Sequence, residues 1–212
     1  MTLIIAVDGP AASGKGTIAA RLAQTYGLPH LDTGLLYRAV GYAAAQHNPP
    51  FDEGYATMFA ERSIPETLDN PGYRTGEAGE AASRVAAMPG VRSGLLKFQK
   101  DFAAKPGGAV LDGRDIGTVI APDAPVKLFV TALPEVRARR RWLQVRDQGS
   151  DIAFEAMLAD IQRRDERDAG RGSAPMVQAD DAVLLDTTDM GIEAAFDAAR
   201  RIVEAARAKH GL

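Results

Sequence analysis

Nine consecutive residues near the start of the chain, Gly9-Pro10-Ala11-Ala12-Ser13-Gly14-Lys15-Gly16-Thr17, have the types and order needed to hold a polyphosphate. They form a G-x-x-x-x-G-K loop after an apolar run and before an amphipathic one. In that context backbone N–H groups encircle a β-phosphate, and the helix N-terminal dipole favours the anion. Glycine serves where the backbone must approach phosphate closely or take a positive φ. Lys15 is placed to reach the β- and γ-oxygens and to follow the charge as it moves in transfer. Gly16 stands where Ser or Thr usually follows the lysine, and Thr17 comes one residue later. A metal is therefore expected to be held mainly by phosphates and water, which Mg2+ tolerates. The competing reading is a glycine-rich turn with an exposed lysine, and the flanking strand and helix speak against it.

Three further groups have chemistry in their spacing. Asp32-Thr33-Gly34-Leu35-Leu36-Tyr37-Arg38 opens a helix with a hydroxyl and brings a guanidinium one turn later, which suits an acceptor phosphate. An N-cap Thr with a surface Arg is the plainer alternative. Asp112-Gly113-Arg114-Asp115 follows an apolar run, where an open α/β sheet binds its ligands. Asp112 is a candidate to hold water around Mg2+, and Arg114 and Asp115 to meet an acceptor's phosphate and base; an internally paired charged turn is the alternative. In Arg163-Arg164-Asp165-Glu166-Arg167-Asp168-Ala169-Gly170-Arg171, helical spacing puts Arg164, Arg167, Asp168 and Arg171 on one face. Such a face is usually solvated and self-paired. It also suits a hinged cover for phosphates.

These groups need a frame. The unalternating run Leu3–Val7 reads as a strand buried on both faces, with Lys15–Tyr26 as a helix stopped by Gly27. Strands are expected near Pro29–Leu31, Ala109–Asp112, Val126–Val130 and Val183–Asp186. Helices are expected over Thr33–Gln46, Glu77–Ala87, Val91–Ala103, Pro134 to about Gln148, Phe154–Arg167 and Ile192–Lys209. The stretch from His47 to Gly76, broken by Pro49-Pro50 and Asp69-Asn70-Pro71-Gly72, reads as an irregular insertion. The alternation predicts one doubly wound α/β domain.

Composition excludes much else. The chain has 212 residues, 46% apolar and 25% charged, with 25 basic against 28 acidic side chains. That is a globule with net charge −3, without a global field for nucleic acid or a membrane surface. No cysteine is present, which removes disulfides, thiolate metal sites and Cys nucleophiles and fits an intracellular, cytoplasmic protein. No apolar stretch is long enough for a membrane span, and no signal peptide is visible. An Asn-Lys-x-Asp guanine-reading motif is absent, as is a basic strip interleaved with aromatics. A small phosphoryl-transfer enzyme remains, with a second site for its acceptor.

The ordered segments resemble bacterial-type cytidylate (CMP) kinases. They are Asp8-Gly9-Pro10 with Ser13–Thr17, Asp32-Thr33-Gly34 with Tyr37-Arg38, Ala82-Ser83-Arg84-Val85-Ala86 with Val91-Arg92, Asp112–Thr118, Pro122–Lys127, and Arg164-Asp165-Glu166-Arg167-Asp168. The resemblance implies a P-loop NTPase of three layers, α/β/α, around a mostly parallel sheet. It implies a core (about 1–40, 104–150 and 174–212), a nucleoside-monophosphate-binding insert (about 41–103) and a short helical lid (about 151–173). It also implies ATP and CMP, with dCMP, as substrates and Mg2+ as the metal. By the same analogy Ser83, Arg92 and Asp115 read cytosine, and Arg164 and Asp168 hold the sugar. Thr33, Arg38, Arg114 and Arg171 grip the acceptor phosphate. Lys15, Arg114, Arg167 and Arg171 are the catalytic candidates, and Arg137 and Arg141 are assigned to ATP. One departure stands out: the stretch from about Arg62 to Arg74 is short for the small sheet that such inserts usually carry, so a trimmed insert is expected. With His30, His47 and His210 as the only histidines and no cysteine, no zinc-bearing lid is expected. A monomer without nucleic-acid or membrane partners is expected. The rival readings are a small-metabolite kinase of shikimate type and a non-catalytic nucleotide-binding protein.

Overall fold

Among the described residues the apolar runs become five parallel strands. The computed structural model describes residues 2–62, 68–147 and 149–212. Strands β1 (Ile4–Asp8), β2 (His30–Asp32), β3 (Ala109–Gly113), β4 (Val126–Thr131) and β5 (Val183–Asp186) lie in the order β2-β3-β1-β4-β5. Every pairing is parallel, and the register sets Asp8 beside Gly113 and Asp32 beside Asp112. The carboxyl ends of the central strands thus finish level, at the point where the winding reverses and open sheets bind ligands.

Among the described residues eight α-helices flank the sheet: α1 (Lys15–Tyr26), α2 (Thr33–Gln46), α3 (Glu53–Arg62), α4 (Gly76–Val85), α5 (Pro89–Ala103), α6 (Pro134–Asp147), α7 (Phe154–Ala169) and α8 (Ile192–His210). On one face Ile5, Val7, Val110 and Leu128 pack with Leu22 of α1 and Val203 of α8. On the other, Ala6, Leu31 and Leu111 pack with Leu36 of α2, Val85 of α4 and Leu95 of α5. Successive strand residues point to opposite faces, so a strand covered twice needs apolar residues at every position. That is the three-layer α/β/α architecture expected. A third, smaller cluster joins α6 to α7 through Ala138, Val145, Met157 and Ile161, and it includes Ala11 of the phosphate loop.

The insertion is more regular than its prolines suggest. Glu53–Arg62 is a full helix, whose Ala56 and Ala60, four apart, are buried. Small alanines make a weak apolar stripe in sequence but allow close packing against α5. A short 3-10 turn, Pro71–Arg74, follows, with Asn70 accepting from the Gly72 N–H as its cap. No strand occurs among the described residues of 41–103; residues 63–67 of the Arg62–Arg74 stretch, where a trimmed insert was expected, lie outside the described residues. Gln148, the expected end of α6, lies outside them too. A π-helical turn, Ile116–Ile120, was not foreseen. Finally, α7 ends at Ala169 with Gly170 as its cap, so Arg171 lies just past the helix on which its spacing had placed it.

Candidate active site

The phosphate loop joins β1 to α1 as its motif requires. Gly9 has φ +145°, and a Cβ there would lie 2.0 Å from the Val130 carbonyl oxygen, so no other residue fits against β4. Ala12 also takes a positive φ, 59°, a strained conformation for a residue with a side chain. The surroundings over-determine it. Arg137, 3% exposed, donates to the Ala132 carbonyl at 2.8 Å and to the Ala11 carbonyl at 3.3 Å. Thr187 Oγ1 donates to the Ser13 carbonyl at 3.0 Å. Asp8, buried at the end of β1, accepts from the Ile116 and Gly117 N–H groups, both at 2.8 Å, and so ties the loop's base to the π turn. Burial pushes its carboxyl up to about 6, against the two N–H bonds that favour the anion.

Lys15 begins α1, and among the described residues it makes no ion pair. Burial, helped by the Arg114 charge, pushes its ammonium down to about 7; Asp112 and Asp32 work the other way. An anion placed beside it would restore its charge. Asp32 is raised by burial and by the Asp112 carboxylate.

Across the sheet edge lies a cleft of about 50 Å³, to which α2, α4, β3, α7 and the turns after them contribute Thr33, Ser83, Arg114, Asp115, Arg164, Asp168 and Arg171. Sequence positions more than a hundred apart thus share one small space. Thr33 Oγ1 donates to the Asp112 carbonyl at 2.8 Å. Arg92 and Asp115, both 8% exposed at their side chains, form a buried ion pair. The second Arg92 nitrogen and Ser83 Oγ are buried with no partner. Burial raises the Asp115 carboxyl, and Arg92 and Arg171 oppose it. Asp168 is the hub for three arginines: Arg114 Nε at 2.8 Å, a terminal Arg171 nitrogen at 2.7 Å and Arg164 Nε at 3.9 Å. Burial alone would raise Asp168; these arginines overcome it and pull the carboxyl down to about 2. Arg164 Nε, Arg171 Nε and one terminal nitrogen of Arg167 remain without hydrogen-bond partners. Arg167 also bridges α7 to α4 through Glu80 at 2.9 Å.

Other predicted residues stand further out. Arg38 donates to the Tyr73 and Thr75 carbonyls at 2.9 and 3.0 Å. With Arg141 and Arg164 it lines an 810 Å³ cleft between α4 and the α6–α7 pair. On the outer side of the loop a 530 Å³ cavity is bounded by Gly14, Thr17, Arg21, Arg140, Arg141 and Phe196, among others. Arg141 borders both spaces. Arg137 does not face the cavity: besides the two carbonyls, it holds Asp165 of α7 in a two-pronged pair at 2.6 and 3.1 Å. Sequence reasoning quoted Asp8 in a motif without giving it a role, and it assigned no place here to His30, Arg140 or Thr187. Asp8 and His30 were findable, as polar side chains on otherwise apolar strands at the carboxyl edge. Arg140, which grips the Thr187 hydroxyl and carbonyl at 2.9 and 2.6 Å, carries no such signal among its neighbouring arginines.

Among the described residues no group of three or more His, Asp or Glu side chains is gathered to cage a metal. What the site offers is oxygen: Asp112, 3% exposed, and Asp32 beside it in register, both near Lys15. A Cβ on Gly16 would lie 3.6 Å from Asp112 Oδ2, so this carboxylate faces the loop itself. A hard cation that keeps its water and takes phosphate oxygens fits that donor set.

Residues 5–206 match the family model described as cytidylate kinase. The chain belongs to the cytidylate kinase family. A cytidylate kinase of Caulobacter vibrioides (strain NA1000 / CB15N) is 62% identical over 213 residues, covering 100% of both chains. One from Xanthobacter autotrophicus (strain ATCC BAA-1158 / Py2) is 61% identical over 206 residues, 97% of this chain and 99% of the relative. The crystal structure of an uncharacterized protein from Eubacterium ventriosum ATCC 27560 covers 97% of this chain and 99% of its own with a TM-score of 0.58 at 14% identity, a likeness of fold alone. This kinase is therefore an enzyme, a phosphotransferase that binds nucleotides. Among the described residues no helix is long and apolar enough to cross a membrane.

Proposed function

We propose that this kinase transfers the γ-phosphoryl group of MgATP to CMP and to dCMP, giving ADP with CDP or dCDP. One observation carries the reading: Asp115 and Ser83 line the acceptor cleft, Arg92 pairs with Asp115 in the interior, and both Ser83 Oγ and the second Arg92 nitrogen are buried without a partner. A carboxylate next to two donors is the complement of the cytosine edge. Asp115 takes the N4 amino group, and Arg92 and Ser83 meet the N3/O2 side. Uracil would set its O4 against the carboxylate and leave buried groups unpaired, a strong ground for rejection.

In this reading Thr33, Arg38, Arg114 and Arg171 grip the acceptor phosphate, and Arg164 and Asp168 hold the sugar. The phosphate loop with Lys15 takes the donor, with Arg141 at its cavity. The acceptor phosphate is already an anionic nucleophile, so no general base is required. The barrier falls through positioning and charge neutralisation by Lys15, Arg114, Arg167 and Arg171. Mg2+, held by phosphates and water with Asp112 and Asp32 beyond the water, would add its charge against the donor phosphates. Residues 41–103 act as the acceptor-binding insert and 151–173 as the lid. The 50 Å³ cleft is far below the roughly 300 Å³ at which small-molecule sites begin, so α4 and α7 must part to admit CMP. The Arg167–Glu80 bridge joins these two helices and would have to break for them to part.

The test is ADP production from MgATP with CMP, dCMP, UMP, AMP and shikimate offered separately. Turnover is expected with CMP and dCMP, weaker with UMP and absent with the others. An Asp115→Ala enzyme that kept the parent's preference for CMP over UMP would overturn the base-reading assignment.

A further inference from the structure

His30 has no task in the chemistry above. It sits on β2, two residues before Asp32, and its Nε2 lies 2.8 Å from Asp112 Oδ1. The β2–β3 register pairs His30 with Val110, so the ring reaches diagonally to the residue two further along the neighbouring strand. Its side chain is 24% exposed, against 4% for Asp112, so the imidazole closes the carboxylate off from one side. Thr33 Oγ1 holds the Asp112 main chain from another. That leaves Asp112 Oδ2, which faces Gly16 and to which no described group donates.

An unsupported carboxylate here would have two pulls on it, repulsion from Asp32 and attraction to Lys15. An ion pair with Lys15 would divert the ammonium from phosphate. With Oδ1 held by His30, the free oxygen is aimed at the loop, and no ion pair joins Asp112 to Lys15 among the described residues.

We propose that His30 is a positioning residue: its Nε2–H holds Asp112 Oδ1 and so presents Oδ2 to the hydrated cation that accompanies the donor nucleotide. This rests on the reading of Asp112 as an outer-sphere partner of that cation. Second-layer hydrogen bonds orient metal-facing groups in this way generally, and their loss costs about 10- to 100-fold in metal affinity or activity. Water intervenes here, so the lower end applies.

The experiment is calorimetric titration of the whole chain with ADP, with and without Mg2+, for the parent, His30→Leu, His30→Gln and Asp112→Asn. His30→Leu is expected to bind metal-free ADP as the parent does but to lose about tenfold of the affinity gained with Mg2+. The glutamine amide of His30→Gln reaches the same oxygen, so this variant restores the gain. In turnover His30→Leu lowers kcat and leaves the KM for CMP unchanged. If Asp112→Asn keeps the Mg2+ gain, the Asp112 reading itself fails. If Asp112→Asn loses it and His30→Leu keeps it, the role of His30 alone is overturned. Equal weakening with and without Mg2+ in His30→Leu makes the residue merely structural and also overturns it. Should His30→Leu fail to fold, His30→Asn, whose amide stops short of Asp112, replaces it in the comparison with His30→Gln.

Discussion

Replacing Asp168 by Asn removes the negative charge at the centre of three arginines while keeping the side chain's shape. The Asp168 side chain is 3% exposed, with Arg114 and Arg171 at 2.8 and 2.7 Å, so solvent screens little. Its carboxyl lies at about 2 in place of 3.8. That difference corresponds to about 2–3 kcal/mol of stability at neutral pH. Direct loss of one partner from a buried ion pair costs about 3–5 kcal/mol. The amide oxygen still accepts from one arginine, so about 2–4 kcal/mol is expected. For a chain of this size that is a fall in Tm of roughly 5–15 °C, read by circular dichroism. The pH dependence has a definite sign. A depressed folded pKa contributes stability above the unfolded value near 3.8, and the contribution fades as pH falls toward 2. About half of it should be gone at pH 3, so the parent and Asp168→Asn must converge as the solution is acidified. A variant melting within about 2 °C of the parent at pH 7, or a gap that does not narrow by pH 3, would refute the claim that Asp168 holds these arginines together.

Two further outcomes are expected. Lys15, pushed down to about 7, should regain its charge on meeting phosphate, so ADP binding at pH 8 takes up close to one proton. Calorimetry in buffers of different ionisation enthalpy measures this, and no uptake would mean that the ammonium is already charged in the free enzyme. Gly41→Ala sets a Cβ 2.7 and 2.8 Å from the Ala81 carbonyl carbon and the Ala82 nitrogen, forcing α2 from α4. A cost of about 1–3 kcal/mol is expected, partly offset by about 1 kcal/mol of helix propensity, with CMP binding weakened and ADP binding unchanged by calorimetry.

The motifs were legible because phosphate chemistry is local. A loop whose own backbone binds the ligand must carry its glycines and lysine in sequence, and Gly9–Thr17 does. Strands buried on both faces, such as Ile4–Asp8, announce themselves by unbroken apolar runs. The α3 helix did not, because Ala56 and Ala60 are too small to mark a face in sequence and act only by letting α5 come close. Arg137 was assigned to ATP by the resemblance alone. Only folding shows its donors already engaged with Ala11, Ala132 and Asp165.

Short-range order was thus enough to predict a doubly wound α/β domain and a phosphate-loop motif, since both rest on period, punctuation and contiguous residues; the three-layer P-loop fold and the family came from the resemblance of its ordered segments. Which charges meet was settled by packing in three dimensions. Asp168 gathers Arg114 from β3's end and Arg171 from beyond α7, Arg92 pairs with Asp115, and His30 closes on Asp112 from the next strand. Such pairings depend on the angle at which one element lies on another. A chain of residue types does not state that angle, because many pairings of 25 basic with 28 acidic side chains satisfy charge equally well. Packing selects one.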